Sequence, residues 1–215
     1  AESHSIFTAA GLMPAALLAL DCMKLLEGAV AMNEHFKTVA PAENWVIQYV
    51  AASRGANPTS RIICLWTEAL ASVARWYTQI VDEPLASTVV SHPSGLLRQL
   101  ESSESMPDAP SLPQDRPVIH HWSTANWRMD PLSSPKFMHD DDQSESDNPP
   151  PIATIPNLLA DMIATSCEAV HQRGYRTTTF DLPHIDTFTL GQLFQMLMIS
   201  TAIETGCRKI AASGV

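Results

Sequence analysis

Basic residues are scarce in this 215-residue chain. It carries 13 Lys plus Arg against 23 Asp plus Glu, a formal net charge of −10 with a pI near 5.1. That balance argues against a general nucleic-acid binder or a protein of anionic membrane surfaces, since both reward positive charge. It leaves room for a small phosphate, which needs only local donors. A long hydrophobic run is also missing. The longest apolar stretch, Ile6 to Leu20, is interrupted by Thr8, Gly11 and Pro14 and stopped by Asp21. It is too short to span a bilayer and lacks the basic flank of a secretory signal. The four cysteines, Cys22, Cys64, Cys167 and Cys207, form no CxxC pair. They offer no zinc spacing and read as free, mostly buried thiols in a reducing compartment. No internal repeat, GxSxG, Walker A loop or GxGxxG occurs. The chain opens on Ala1 rather than Met and reads as a fragment of a longer protein.

What is present is an alternation of helical and short β-rich segments. Pro14 to Glu27 reads as a helix, with Pro in its first turn, Gly28 as its stop and Ala or Leu on nearly every side; it is expected to be deeply buried. Pro41 to Ser53 is a second helix. Arg61 to Trp66 is a short apolar run of the kind that forms a buried parallel strand. From Thr67 to about Asp82 the residues Leu70, Val73, Trp76, Tyr77, Ile80 and Val81 fall on one helical face. Thr88 to Val90 is a strand candidate, Leu96 to Leu100 a helical turn, and Pro117 to Trp122 the next strand. Leu158 to Arg173 is a helix stopped by Gly174, and Thr177 to Leu182 a strand. Thr189 to Thr205 is a helix with a Thr189–Gln192 capping box and Gly206 as its stop. The stretches 102–116 and 131–151 are polar loop or insertion. The pattern predicts one α/β domain over residues 1–215, with a mainly parallel, doubly wound sheet covered on both faces. In such sheets ligands sit at the carboxyl ends of the strands.

Three segments carry a family resemblance. Phe7–Ala29 (FTAAGLMPAALLALDCMKLLEGA) resembles the stretch that opens the second sugar-isomerase (SIS) domain of glucose-6-phosphate isomerases. Arg61–Glu83 (RIICLWTEALASVARWYTQIVDE) resembles their next strand and helix, where a Trp-Tyr pair precedes an acid. Phe180–Ile203 (FDLPHIDTFTLGQLFQMLMISTAI) resembles the late strand and helix with its Leu-Gly-Gln-Leu. The blocks run in family order over residues 5–205, and the middle, 91–152, matches poorly. The resemblance implies a SIS-like fold and the interconversion of glucose 6-phosphate and fructose 6-phosphate through an enediol. It implies no cofactor, a cytoplasmic setting in glycolysis and gluconeogenesis, and a homodimer whose sites are completed by the partner subunit. The alternative is a non-catalytic sugar-phosphate-binding or structural SIS module.

Carried over residue by residue, Glu83 matches the family's general base. A carboxylate at a helix C-terminus is also disfavoured by the helix dipole, which raises its proton affinity; a solvated acid at a helix end is the plainer reading of the spacing alone. The family's Gly-Gly-Arg-Tyr/Phe-Ser motif aligns with Ala1 to Ser5, so Ser3 replaces the arginine and only Ser5 survives as a substrate contact. The family's Asp-Gln-His-Ser motif falls on Ser91 to Gly95, where His92 is an out-of-register candidate for ring opening. Ser94 and Gly95 could present backbone N–H groups to a phosphate, or simply cap a helix. Lys209 stands in the wrong place for the family's lysine. The family's phosphate-cradling loop belongs to its first SIS domain. Adjacent strand residues point to opposite faces, so His120 and His121 cannot share a metal and are expected as one buried and one exposed imidazole. His139 to Asp142 reads as a solvated acidic loop without EF-hand spacing. Trp122, Asn126 and Trp127 could line a sugar cleft, with core or lid packing the simpler reading.

Overall fold

A computed structural model describes residues 5–53, 60–82, 87–104, 117–125 and 155–213. Four strands form one all-parallel sheet: β1 (Ser60–Leu65), β2 (Ser87–Ser91), β3 (Val118–Thr124) and β4 (Arg176–Leu182), in the order β2-β1-β3-β4. The helices are α1 (Ala9–Leu17), α2 (Cys22–Thr38), α3 (Trp45–Ser53), α4 (Ala71–Asp82), α5 (Pro93–Glu104), α6 (Ile155–Gln172) and α7 (Thr187–Ala212). This is the α/β, doubly wound architecture expected from the alternation.

Register explains the two cores. Ile63 aligns with His120 and Thr178, and Leu65 with Trp122 and Phe180. These positions share one face, where Ile63, Leu65 and Trp122 pack with α2, α3, α4 and α7. Ile62, Cys64 and Ile119 occupy the other face and pack against α5 and α6. With helices on both sides, β1 and β3 have no solvent-facing side, which is why Ile62 to Leu65 is a continuous apolar run. Leu70, in the 3-10 turn just before α4, and Val73, Ala74, Tyr77, Ile80 and Val81 on α4 are buried at the three-four spacing of one helical stripe. Trp76 is only half-buried, edge-on to Phe194 at 4.9 Å.

Several boundaries depart from expectation, each for a local reason. The predicted Pro14–Glu27 helix is two helices. The chain breaks at Ala19, where φ is +57°, and Asp21 restarts it by accepting from the Lys24 N–H at 3.0 Å. The segment is not deeply buried: no residue of α1 is buried, and Leu17 is 82% exposed. Apolar composition states that a helix wants cover, not that this domain supplies it. Gly28 does not end a helix but lies inside α2, pressed against α7. Asn44, rather than Pro41, opens α3. Its Oδ1 accepts from the Val46 and Ile47 N–H groups, while its Nδ2 donates to the His35, Phe36 and Val39 carbonyls that close α2. The turn expected at 96–100 is the full helix α5, with Pro93 in its first position. On α7 the cap is Asp186, not Thr189: the Asp186 side chain accepts from the Thr189 N–H at 2.7 Å. Gly206 does not stop α7, which runs through it to Ala212. The four cysteines are free, but only Cys64 is fully buried. The 131–151 insertion lies outside the described residues.

Candidate functional site

β1 leads through α4 to β2 on one side, and β3 lies on the other side of β1. That switch in strand order opens the crevice where doubly wound sheets hold ligands, at the carboxyl ends of β1 and β3. Glu68, just beyond β1, and His92, just beyond β2, meet at the same end of the sheet, on the β2 side of β1. His92 Nε2 lies 3.8 Å from Glu68 Oε2, with both side chains more than half exposed. A pair this wet holds little energy, but it places an imidazole and a carboxylate side by side at the carboxyl end of the strands. The His92 carbonyl accepts from the Gly95 and Leu96 N–H groups and so starts α5. Ser94 is exposed in that first turn, and a Cβ added at Gly95 would meet only Ser91 Oγ at 3.5 Å. His92, Ser94 and Gly95 are therefore brought together in one turn. Ser5 is not among them. It belongs to the turn that opens α1, where its carbonyl accepts from Thr8 Oγ1 at 2.7 Å. Glu83 lies outside the described residues. Asp82, before it, ends α4 at the edge where the strands begin, and His92 stands at the edge where they end. The five-residue β2 separates these edges by roughly 13 Å.

The expectation of one buried and one exposed histidine is corrected: His120 and His121 are both at 0% exposure. They point to opposite faces, as alternation requires, but β3 is an interior strand and both faces are covered. Burial, with the nearby Arg61 charge and His121 adding to it, pushes His120 down to about 3. Burial pushes His121 to about 4. Both rings are therefore neutral near pH 7. His120 Nδ1 sits 2.6 Å from Thr178 Oγ1, and His121 Nδ1 accepts from the Trp66 indole N–H at 3.1 Å. Trp122 is core, at 0% exposure between Tyr77 and Phe180; Asn126, Trp127 and the run His139–Asp142 lie outside the described residues. Among the described residues no group of three or more His, Cys, Asp or Glu could hold a metal ion.

Below His120 lies a charged cluster that the sequence did not announce. Arg61 of β1 is ion-paired with Glu204 of α7, and its Nη1 donates to the Tyr77 hydroxyl at 3.0 Å. The Tyr49 hydroxyl donates to that of Tyr77 at 3.2 Å. Burial works against the Arg61 charge, but Tyr77, Glu204 and Tyr49 more than offset it and hold the guanidinium protonated. Burial raises both tyrosines above their ordinary range; Tyr77 adds to the rise at Tyr49, whereas the Arg61 charge opposes it at Tyr77. At 1% exposure, Arg61 cannot reach a substrate and so does not replace the arginine absent at Ser3.

The described residues also enclose a cavity of about 520 Å³ between β4, α2, α3 and the first turns of α7. Trp45, Tyr49 and Phe180 give it aromatic walls; Gln48, Gln192 and Thr189 give it polar ones. No Lys, Arg or His lines it, so it is not built for a phosphate.

No protein-family model matches the chain. Over 86 residues it is 35% identical to a glucose-6-phosphate isomerase of Methanocaldococcus jannaschii. That match takes in 38% of this chain and 21% of the isomerase. The fold recurs in the crystal structure of a hypothetical protein from Thermus thermophilus, with a TM-score of 0.68 at 19% identity. There the likeness covers 91% of this chain and 47% of the other. This chain thus spans about half of the structural relative and about a fifth of the isomerase. The weak, partial match points toward an isomerase, and the structural one gives the fold alone. Among the described residues no helix is long and apolar enough to cross a membrane.

Proposed function

We propose that this chain is the second SIS domain of a divergent glucose-6-phosphate isomerase, interconverting glucose 6-phosphate and fructose 6-phosphate in the cytoplasm. The observation that carries the reading is the 35% identity to an isomerase, on a chain whose α4 ends one residue before Glu83. In this reading the Glu83 carboxylate takes the proton from C2 of the open-chain aldose. The C–H electron pair becomes the C1–C2 double bond of the enediol, and the carbonyl pair moves onto O1, which is protonated. Loss of the O2 proton then re-forms a carbonyl at C2 while the double-bond pair takes the returned proton at C1, yielding the ketose. No cofactor takes part.

The reading carries with it a homodimer in which a second subunit supplies the group that one chain does not bring to the substrate. At the start of α5 the exposed Ser94 is where this chain would meet the substrate phosphate, since the Gly95 N–H is already taken by the His92 carbonyl.

The test is a coupled assay on the intact gene product, fructose 6-phosphate to glucose 6-phosphate, beside its Glu83→Gln variant. Loss of about 10²- to 10⁴-fold in kcat is expected. Full activity in the variant would remove Glu83 from the mechanism. A second reading, a sugar-phosphate-binding module without chemistry, is favoured by Ser3 in the arginine's place and by the burial of Arg61. It predicts a folded wild type that 6-phosphogluconate stabilises thermally and that turns nothing over.

A further inference from the structure

The outer edge of β4 lies apart from the groups that the isomerase reading uses. β4 is the last strand of the sheet, with no partner on its far side among the described residues. The Leu182 carbonyl accepts from the Ala125 N–H at 2.8 Å and so points toward β3. Along a parallel strand the N–H and C=O of one residue point to the same side, and successive residues alternate. Thr178, Phe180 and Leu182 therefore face β3, whereas Thr179 and Asp181 turn their backbone N–H and C=O groups outward. Six consecutive residues, Thr178 to Pro183, line the 520 Å³ cavity. Side chains of consecutive strand residues lie on opposite faces, so a cavity lined by all six extends from the face covered by α2, α3 and α7 to the strand's outer edge.

The remaining walls define what fits. Tyr49 offers only its ring, because its hydroxyl is engaged with Tyr77. Trp45 is backed by the His35 ring, 4.4 Å between centroids. The Gln48 amide already donates to the Ala42 carbonyl at 2.6 Å, and Asp181 Oδ1 accepts from Ser123 Oγ at 2.9 Å. With no cation on its walls, the cavity has nothing to hold an anion. Its volume suits a small molecule. Thr179 and Asp181 span only about 7 Å of edge, a match for a compact ring and not for a full peptide strand.

We propose that this cavity binds an uncharged heterocycle of the nucleoside class, its amide-type N–H/C=O edge pairing with the outward backbone of Thr179 and Asp181 and its ring lying among Trp45, Tyr49 and Phe180.

The experiment is a titration of the ¹⁵N-labelled protein with uridine, followed by the amide resonances of Thr179 and Asp181. Saturable shifts confined to these and neighbouring lining residues are expected. 3-Methyluridine, which lacks the N–H of the amide edge, should bind about tenfold more weakly, the worth of one hydrogen bond. Ala52→Phe, which fills the cavity, should abolish the shifts while the rest of the spectrum stays dispersed. No shift with uridine or inosine at millimolar concentration would overturn the proposal. So would equal binding of 3-methyluridine, displacement of uridine by fructose 6-phosphate, or shifts produced only by an extended peptide. None of these readouts depends on isomerase activity, so this proposal and that reading fail separately.

Discussion

Gly28 of α2 and Gly191 of α7 pack backbone against backbone. A Cβ on Gly28 would land on the Phe188 carbonyl oxygen, and one on Gly191 on the Leu25 carbonyl oxygen. The obstacle at both sites is backbone, which cannot swing aside as a side chain can. Glycine in a helix interior ordinarily costs about 1 kcal/mol relative to alanine, so a tolerated Gly→Ala change would stabilise. Here the clash outweighs that gain, and Gly28→Ala and Gly191→Ala are each expected to lower stability by about 1–3 kcal/mol. The two sites share one contact, so the double variant should lose less than the sum. Urea midpoints with unchanged m-values check this; a rise in either midpoint would mean that the helices separate more easily than their packing suggests.

Acid should weaken the fold through the two buried histidines. In the unfolded chain each titrates near 6.5, whereas in the fold His120 is held at about 3 and His121 at about 4. Both folded values are depressed, so below pH 6.5 the unfolded state binds protons that the folded state refuses. Their contribution is constant above about pH 7. It falls on acidification with a limiting slope of about 2.7 kcal/mol per pH unit, and the slope slackens as His121 begins to protonate near 4. Urea midpoints between pH 7 and pH 5 should show the decline, and His120→Gln or His121→Gln should each remove about half of it. An unchanged slope in the double variant would assign acid sensitivity to other groups.

Much of the architecture was legible because burial on both faces writes itself into composition. RIICL and PVIHHW are short, apolar and bounded by turn residues, and both are interior strands. The stripe from Leu70 to Val81 has only one helical reading. Helix ends were harder. Gly28 and Gly206 look like stops, but a glycine stops a helix only where the chain turns left-handed after it, and Gly28 instead serves contact with a helix more than 150 residues away. His120 and His121 were half-read: alternation gave opposite faces, but not that β3 is interior. Of the candidate site, motif position picked out His92, Ser94 and Gly95, which share the turn that starts α5. Glu68 was missed because it meets His92 only through the parallel pairing of β1 with β2. Arg61 was hidden in an apolar run, and nothing local points to Glu204.

Ala19, between α1 and α2, holds φ at +57° without being glycine. A Cβ in that region costs roughly 1–2 kcal/mol, and glycine adopts it freely at the expense of a more disordered unfolded chain. Ala19→Gly should therefore raise stability slightly, by up to about 1 kcal/mol. Ala19→Val, with a branched Cβ in the same place, should lower it. Thermal midpoints of the pair check the sign; a loss in the glycine variant would show that the α1–α2 joint is not strained.

The Arg61–Glu204 pair tests whether buried charge steadies this fold or merely persists within it. The partners are 143 residues apart and 1% and 3% exposed, and they tie the first strand to the last helix. Removing one partner leaves the other charged and dry, so Arg61→Met and Glu204→Met should each cost about 3–5 kcal/mol. Removing both puts two flexible apolar chains into the same space, and the double variant should recover most of that loss. Tyr77→Phe should cost less, about 1–3 kcal/mol, because it leaves the Arg61 N–H short of one acceptor but keeps the ion pair. A double-mutant cycle on urea unfolding gives the coupling directly. A double variant as unstable as the worse single one would show that β1 and α7 need the charges themselves, to fix how they dock rather than how tightly.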